Sequence, residues 1–162
     1  MIIKKDKRAY YIFYFAIFAV CATILFCYFY ASPVTVFGTS MHPTFKEGSM
    51  VATKPFEGVS TLGYGDVIVF SHDGELFIKR VVGLPGDEIY IVDGCVFRNG
   101  ERINESFEII TDSGLAATPF LVSDECVFVL GDNRNHSLDS RSFGEVSTSD
   151  IKRIVSGLFL GN

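Results

Sequence analysis

The sequence predicts an all-β domain of antiparallel, barrel-like sheets preceded by one N-terminal transmembrane helix. Three observations carry this. Tyr10 to Tyr30 is almost wholly apolar or aromatic, and no charged residue intervenes between Arg8 and Lys46. From Ser32 onward no long helical period appears. In its place come short runs rich in β-branched and aromatic residues, separated by Gly, Asn and Asp turn signals.

The apolar run comes first. About 20 such residues span the hydrocarbon core of a bilayer as a helix. Tyr10, Tyr11 and Tyr14 lie at one end and Tyr28 and Tyr30 at the other, as amphipathic rings do at two membrane–water interfaces. Lys4, Lys5, Lys7 and Arg8 precede the run, so the N-terminus is expected in the cytoplasm and everything after Ala31 outside. A cleavable signal peptide has a shorter apolar region, about 7–15 residues, so a retained anchor is expected. The expected divisions are a basic tail over 1–8, an anchor over 9–31, and a β-rich extracytoplasmic domain over 32–162 with a small insert at about 88–124.

The β candidates follow in order. They are Val34 to Phe37, Ser49 to Thr53, Asp66 to Phe70 and Leu76 to Val82. Ile89 to Val92, then Asp93-Gly94, then Cys95 to Phe97 reads as a hairpin with a two-residue turn, and Asn99-Gly100 marks a second turn. Cys126 to Leu130 and Ile154 to Phe159 are further strands, while the polar stretch from Asn104 to Asp124 reads as a loop or small subdomain.

With 162 residues the chain has room for one domain with a real core. Its net charge of -5 speaks against a general nucleic-acid binder, which needs a basic face to neutralise phosphates. Cys21 and Cys27 sit in the apolar run; Cys95 and Cys126 could pair if exported, or pack as two separate thiols. No Cys/His spacing reads as a zinc site.

Three segments carry possible chemistry. Gly38-Thr39-Ser40-Met41-His42-Pro43-Thr44 places a serine on a tight turn after a strand, though such clusters also make plain turns. Lys79 lies inside the apolar run Leu76 to Val82. It is either buried on purpose or an edge-strand lysine that discourages aggregation. Alternation puts Phe77 and Lys79 on one face and Ile78 and Arg80 on the other. Gly131-Asp132-Asn133-Arg134-Asn135-His136-Ser137-Leu138-Asp139-Ser140-Arg141 is a dense polar loop. Its acids and arginines can form charge-assisted pairs, or it is a solvated turn.

Together and at these spacings, the segments resemble the type I signal peptidases, compact members of the Gram-positive-like kind. The family's Ser-Met-x-Pro-Thr motif is matched by Ser40 to Thr44, its lysine box by Ile78 to Asp87, and its C-terminal box by Gly131 to Arg134 and Ser137 to Arg141. Gly65 to Phe70 matches the strand before the lysine box. The resemblance implies a Ser/Lys serine endopeptidase with Ser40 as nucleophile and Lys79 as general base. It implies that Ser137 orients the Lys79 amine, that Asp139–Arg141 and Asp132–Arg80 are ion pairs holding the site, with Gly131 in the same box, and that the Ser40 N–H serves the oxyanion. Val36, Phe37, Met41, Pro43, Phe77 and Ile78 are expected to bind an extended substrate with small side chains, of the Ala-x-Ala type. The implied partners are exported preproteins and the lipid bilayer; the enzyme is expected to act as a monomer without metal or other cofactor. Two features depart from some members. Gly38 stands where a hydroxyl residue can supply a second oxyanion donor, and the segment between the two boxes is short.

The chemistry fits the residue types. A serine hydroxyl needs a neighbouring base, and lysine serves only when neutral. Its ordinary pKa of ~10.4 makes neutrality at pH 7.4 cost about 4 kcal/mol in water, and burial removes that penalty. A histidine base among His42, His72 and His136 is the competing reading, with His136 beside Ser137 the foremost. Other readings are a self-cleaving repressor-type Ser/Lys protease, a non-catalytic tethered β-domain binding exported segments by strand addition, and a signal peptidase serving one operon, such as pilus or conjugation proteins.

Overall fold

The computed structural model describes residues 7–30 and 32–160, the side chains of 27–30 and 158–160 excepted. The expected charges at Lys4 and Lys5, the rings of Tyr28 and Tyr30, and the boundary residue Ala31 lie outside these. The chain divides into two compact units, 1–32 and 33–162.

The first unit is helix α1, Lys7–Tyr30. At about 1.5 Å per residue it is ~36 Å long, enough for a hydrocarbon core of ~30 Å. Its Lys7–Phe26 portion is long and apolar enough to cross a membrane, and none of it is buried within the protein. Phe13, Phe15, Phe18 and Ile24 stand exposed around the helix. Such an all-round apolar surface suits lipid.

The second unit holds two antiparallel sheets. The larger orders its strands β1 (Ser32–Thr35), β2 (Met50–Pro55), β11 (Ile151–Leu160), β3 (Val67–His72), β4 (Glu75–Gly83), β9 (Cys126–Leu130) and β10 (Val146–Ser147). The smaller orders β7 (Glu101–Arg102), β6 (Cys95–Arg98), β5 (Glu88–Val92) and β8 (Phe120–Leu121). A four-residue helix α2, Ser140–Phe143, follows the polar loop.

Side-chain alternation explains the unbroken apolar runs in β3 and β9. Ile68 and Phe70 join one buried cluster with Val81, Val127, Val129 and Ile154. Val67 and Val69 join another with Val36, Met41, Phe45 and Ile78. Phe128 and Leu130, from the other face of β9, pack with Ile89, Ile91 and Val96 of the smaller sheet. Strands buried on both faces need apolar residues at every position.

The hairpin turns form as their chemistry dictates. Asp93 and Gly94 (φ 50 and 70) and Asn99 and Gly100 (φ 53 and 84) both take the left-handed pairs of a tight two-residue turn. At the base of the hairpin the buried Asp87 carboxylate accepts from Leu84 N, Asn99 Nδ2 and Tyr64 Oη.

Several expectations are adjusted. The first strand ends at Thr35 rather than Phe37, although Val36 still donates to Ser49 O at 2.8 Å. The Asn104–Asp124 stretch contains a short 3-10 helix, Gly114–Ala117, and strand β8. Cys95 and Cys126 are unpaired, half-buried thiols.

Phe128 is fully buried between the sheets. Phe128→Ala is expected to cost about 3–5 kcal/mol, read as a lower urea midpoint of the detergent-solubilised chain.

Candidate active site

The turn that carries Ser40 is fixed from beneath. Met41 is fully buried among Val36, Phe45, Val51 and Ile78. Phe45 N–H donates to Met41 O at 2.9 Å, closing the turn. Ser40 is thereby left half-buried at the surface of this cluster.

Strand β4 brings the lysine. In register with β3, Lys79 lies opposite Ile68 and is only 3% exposed. Its Nζ donates to Ser40 Oγ at 2.8 Å and to Ile78 O at 3.0 Å, and lies 5.5 Å from the Phe77 ring centre. Burial pulls its pKa from 10.5 down to about 8, against a smaller upward pull from Asp139 and Asp132. Each of these acids is itself bound to a guanidinium, which offsets its field at the amine.

The loop after β9 is stitched to both residues. Arg80 grips Asp132 through Nε at 2.7 Å and Nη2 at 2.6 Å, and Thr44 Oγ1 donates to the same carboxylate. Hydrogen bonding to Asp132 holds the Arg80 pKa above its ordinary value. Arg141 grips Asp139 through Nε and Nη2, both at 2.8 Å. Asp139 also accepts from Gly131 N at 3.0 Å and caps α2 through Arg141 N. Asn133 N–H donates to Ser40 O at 3.0 Å, and its side-chain amide to Thr39 O.

Gly131 is required by space. A Cβ there would lie 2.1 Å from Ser137 Oγ and 2.6 Å from Ser40 O. Gly38 takes φ +78 with nothing within 4 Å of a would-be Cβ.

A groove of about 570 Å³ opens at the dyad. Val36 and Phe37 line one wall, Leu76, Phe77 and Ile78 another, with Ser40 and Lys79 at the end of both. Met41 and Pro43 do not line this groove: Met41 is buried in the core, and Pro43 lines a separate pocket of about 170 Å³ with His42 and Phe107. The expected Ser137–Lys79 bond is also absent among the described residues. Lys79 is engaged by Ser40 and Ile78 O, while the buried Ser137 Oγ has no hydrogen-bond partner.

Residue-level reading overlooked Thr44, Asn133 and Arg134 as positioning groups. Arg134 is 2% exposed, donates through Nε to Gly131 O at 3.1 Å, and pairs with Glu105 beside the Phe107 ring. An arginine in a polar loop gives no signal of burial; only its distant partners Glu105 and Phe107 create it. None of the histidines meets Ser40. His136 is exposed with its ring 3.3 Å from Asn133 Oδ1, and His72 lies against Phe143.

Comparison with known proteins settles the lineage. A family model described as signal peptidase, peptidase S26, matches residues 9–157. The chain belongs to this family. Signal peptidase I of Bacillus caldolyticus is 34% identical over 148 residues, covering 82% of this chain and 81% of that protein. Signal peptidase I V of Bacillus subtilis is 32% identical over 134 residues, covering 74% and 80%. A crystal structure of a signal peptidase I from Enterococcus faecalis superposes with a TM-score of 0.53 at 28% identity, over 59% of this chain and 97% of that one. As a signal peptidase the chain is a hydrolase, and its apolar N-terminal helix fits a membrane-anchored enzyme.

Two outcomes test this geometry. Gly131→Ala is expected to lower kcat/KM roughly 100-fold by displacing Ser40 and Ser137, with the pH dependence unchanged. The second concerns stability. The folded Lys79 pKa of about 8 lies below the ordinary 10.5, so between those values the unfolded chain binds more protons and stability rises with pH. Below pH 8 the full penalty is present. Lys79→Met is therefore expected to stabilise the fold at pH 7 by about 2 kcal/mol and to lose the rise between pH 8 and 10, measured by urea unfolding.

Proposed function

We propose that this signal peptidase removes N-terminal signal peptides from exported preproteins by a Ser40/Lys79 acyl-enzyme mechanism, cleaving after small residues. The observation that carries this is the 2.8 Å bond between the buried Lys79 amine and the Ser40 hydroxyl. With a pKa of about 8, roughly a fifth of Lys79 is neutral at pH 7.4, against about one in a thousand at its ordinary value.

Neutral Lys79 Nζ takes the Ser40 proton as Oγ attacks the scissile carbonyl. The tetrahedral oxyanion collapses, the C–N bond breaks, and the Lys79 proton goes to the departing amine of the mature protein. Water then attacks the Ser40 ester, giving its proton to Lys79, and that proton returns to Oγ as the signal peptide's carboxylate leaves. The Ser40 N–H is one oxyanion donor, and such a donor is worth about 3 kcal/mol of barrier. Gly38 has no hydroxyl to add a second.

The preprotein lies extended along the walls at 33–37 and 76–79. Ser137 acts as a close polar neighbour of the dyad. Lys7 and Arg8, at the start of the apolar helix, support the reading of a cytoplasmic N-terminus with the peptidase domain on the extracytoplasmic side of the bilayer. One copy supplies the nucleophile, the base and both ion pairs, which supports a monomer.

The test uses the detergent-solubilised chain and a preprotein with an Ala-x-Ala site. The parent is expected to release the mature protein with kcat/KM rising tenfold per pH unit to a midpoint near 8. Ser40→Ala and Lys79→Ala are expected to lose roughly 10³-fold or more. A Lys79→Ala enzyme as fast as the parent would sink the mechanism.

A further inference from the structure

We infer that Leu138 is a specificity-determining residue that governs which side chain is accepted immediately after the scissile bond. This rests on the preprotein-cleaving reading above.

The two groove walls have a direction. Residues 33–37 lead toward Ser40, and residues 76–78 lead to Lys79, so both walls converge on the dyad. Substrate residues before the cut lie along these walls. Two lining residues belong to neither wall. Val69 is 4% exposed and packs in the floor with Ile78. Leu138 is the other, and the polar loop's sole contribution to the groove.

Leu138 is unusual for its place. It is the one large apolar side chain between Gly131 and Arg141. Asp139 and Arg141 beside it are buried, yet Leu138 is 56% exposed. Its neighbours fix its root. Asp139 is fully buried, held by Gly131 N and by Arg141. The preceding Ser137 hydroxyl is buried where it faces Gly131, next to the Ser40 carbonyl. An apolar side chain that lines the groove and is rooted next to Ser137, itself packed with the Ser40 carbonyl about Gly131, does two things. It offers apolar surface to a small neighbouring residue, and its volume excludes a bulky one, since a rigid wall resists overpacking. The occupant beyond the dyad is the first residue of the mature protein. Preproteins with Ala or Ser there are therefore favoured over those with Val or Phe.

The experiment compares the parent, Leu138→Ala and Leu138→Phe in detergent on two preprotein series. One series varies only the first mature residue (Ala, Val, Phe); the other varies only the residue before the cut (Ala, Val). Urea midpoints equal to the parent's are expected for both variants, because Leu138 is exposed. Leu138→Ala is expected to raise the Phe-to-Ala ratio of kcat/KM in the first series about tenfold, with the second series unmoved. Leu138→Phe is expected to lower the Val-to-Ala ratio in the first series. A change under about twofold in both variants, or a shift confined to the second series, overturns the inference while leaving the peptidase intact. A parent that cuts neither series removes the peptidase reading itself and the inference with it.

Discussion

Keeping a lysine amine out of water while holding it against a serine hydroxyl constrains much of this molecule. An ammonium buried to 3% exposure is unfavourable, and among the described residues the amine bonds two oxygens, Ser40 Oγ and Ile78 O, and no carboxylate, so burial shifts it toward the neutral form. The apolar character of β3 and β4 around Lys79 follows from this need. So does the location of both nearby aspartates, each of which is occupied by its own arginine rather than by the lysine. A carboxylate bonded to Lys79 would favour its charged form and oppose the effect of burial.

The two aspartate–arginine pairs act as clamps of different reach. Asp132 joins the strand that carries Lys79 to the loop and, through Thr44, to the turn that carries Ser40. Asp139 closes the loop on itself through Gly131 and Arg141 and starts α2. Both aspartates have fully buried side chains, so removing one partner would leave a charge unpaired in a dry setting. The result is a rigid bed for a dyad whose own contact is a single hydrogen bond.

Much of this was legible in the sequence, for identifiable reasons. The anchor, the hairpin turns at Asp93-Gly94 and Asn99-Gly100, and the central strands each carry a periodic or conformational signal. The dyad and both ion pairs came from the resemblance of three spaced motifs, not from any residue alone. What was hidden falls into two kinds. Strands β7, β8 and β10 have two residues each, too few to show a period. Met41 and Pro43 follow Ser40 in sequence, but the tight turn rotates Met41 into the core and carries Pro43 to a separate pocket. Arg134 is buried only because Glu105 and Phe107 arrive from a distant segment.

The strand order of the larger sheet has a consequence for how the enzyme comes into being. Ser40 follows β1 and precedes β2, whereas Lys79 rides on β4 beside β3, and β2 meets β3 only through β11. Strand β11 is thus the seam between the half that bears Ser40 and the half that bears Lys79. During synthesis the two halves emerge in turn, and the sheet that aligns them is complete only once Ile151–Leu160 has been made. The contact between Ser40 and Lys79 therefore depends on the whole sheet, and neither half alone holds it in register.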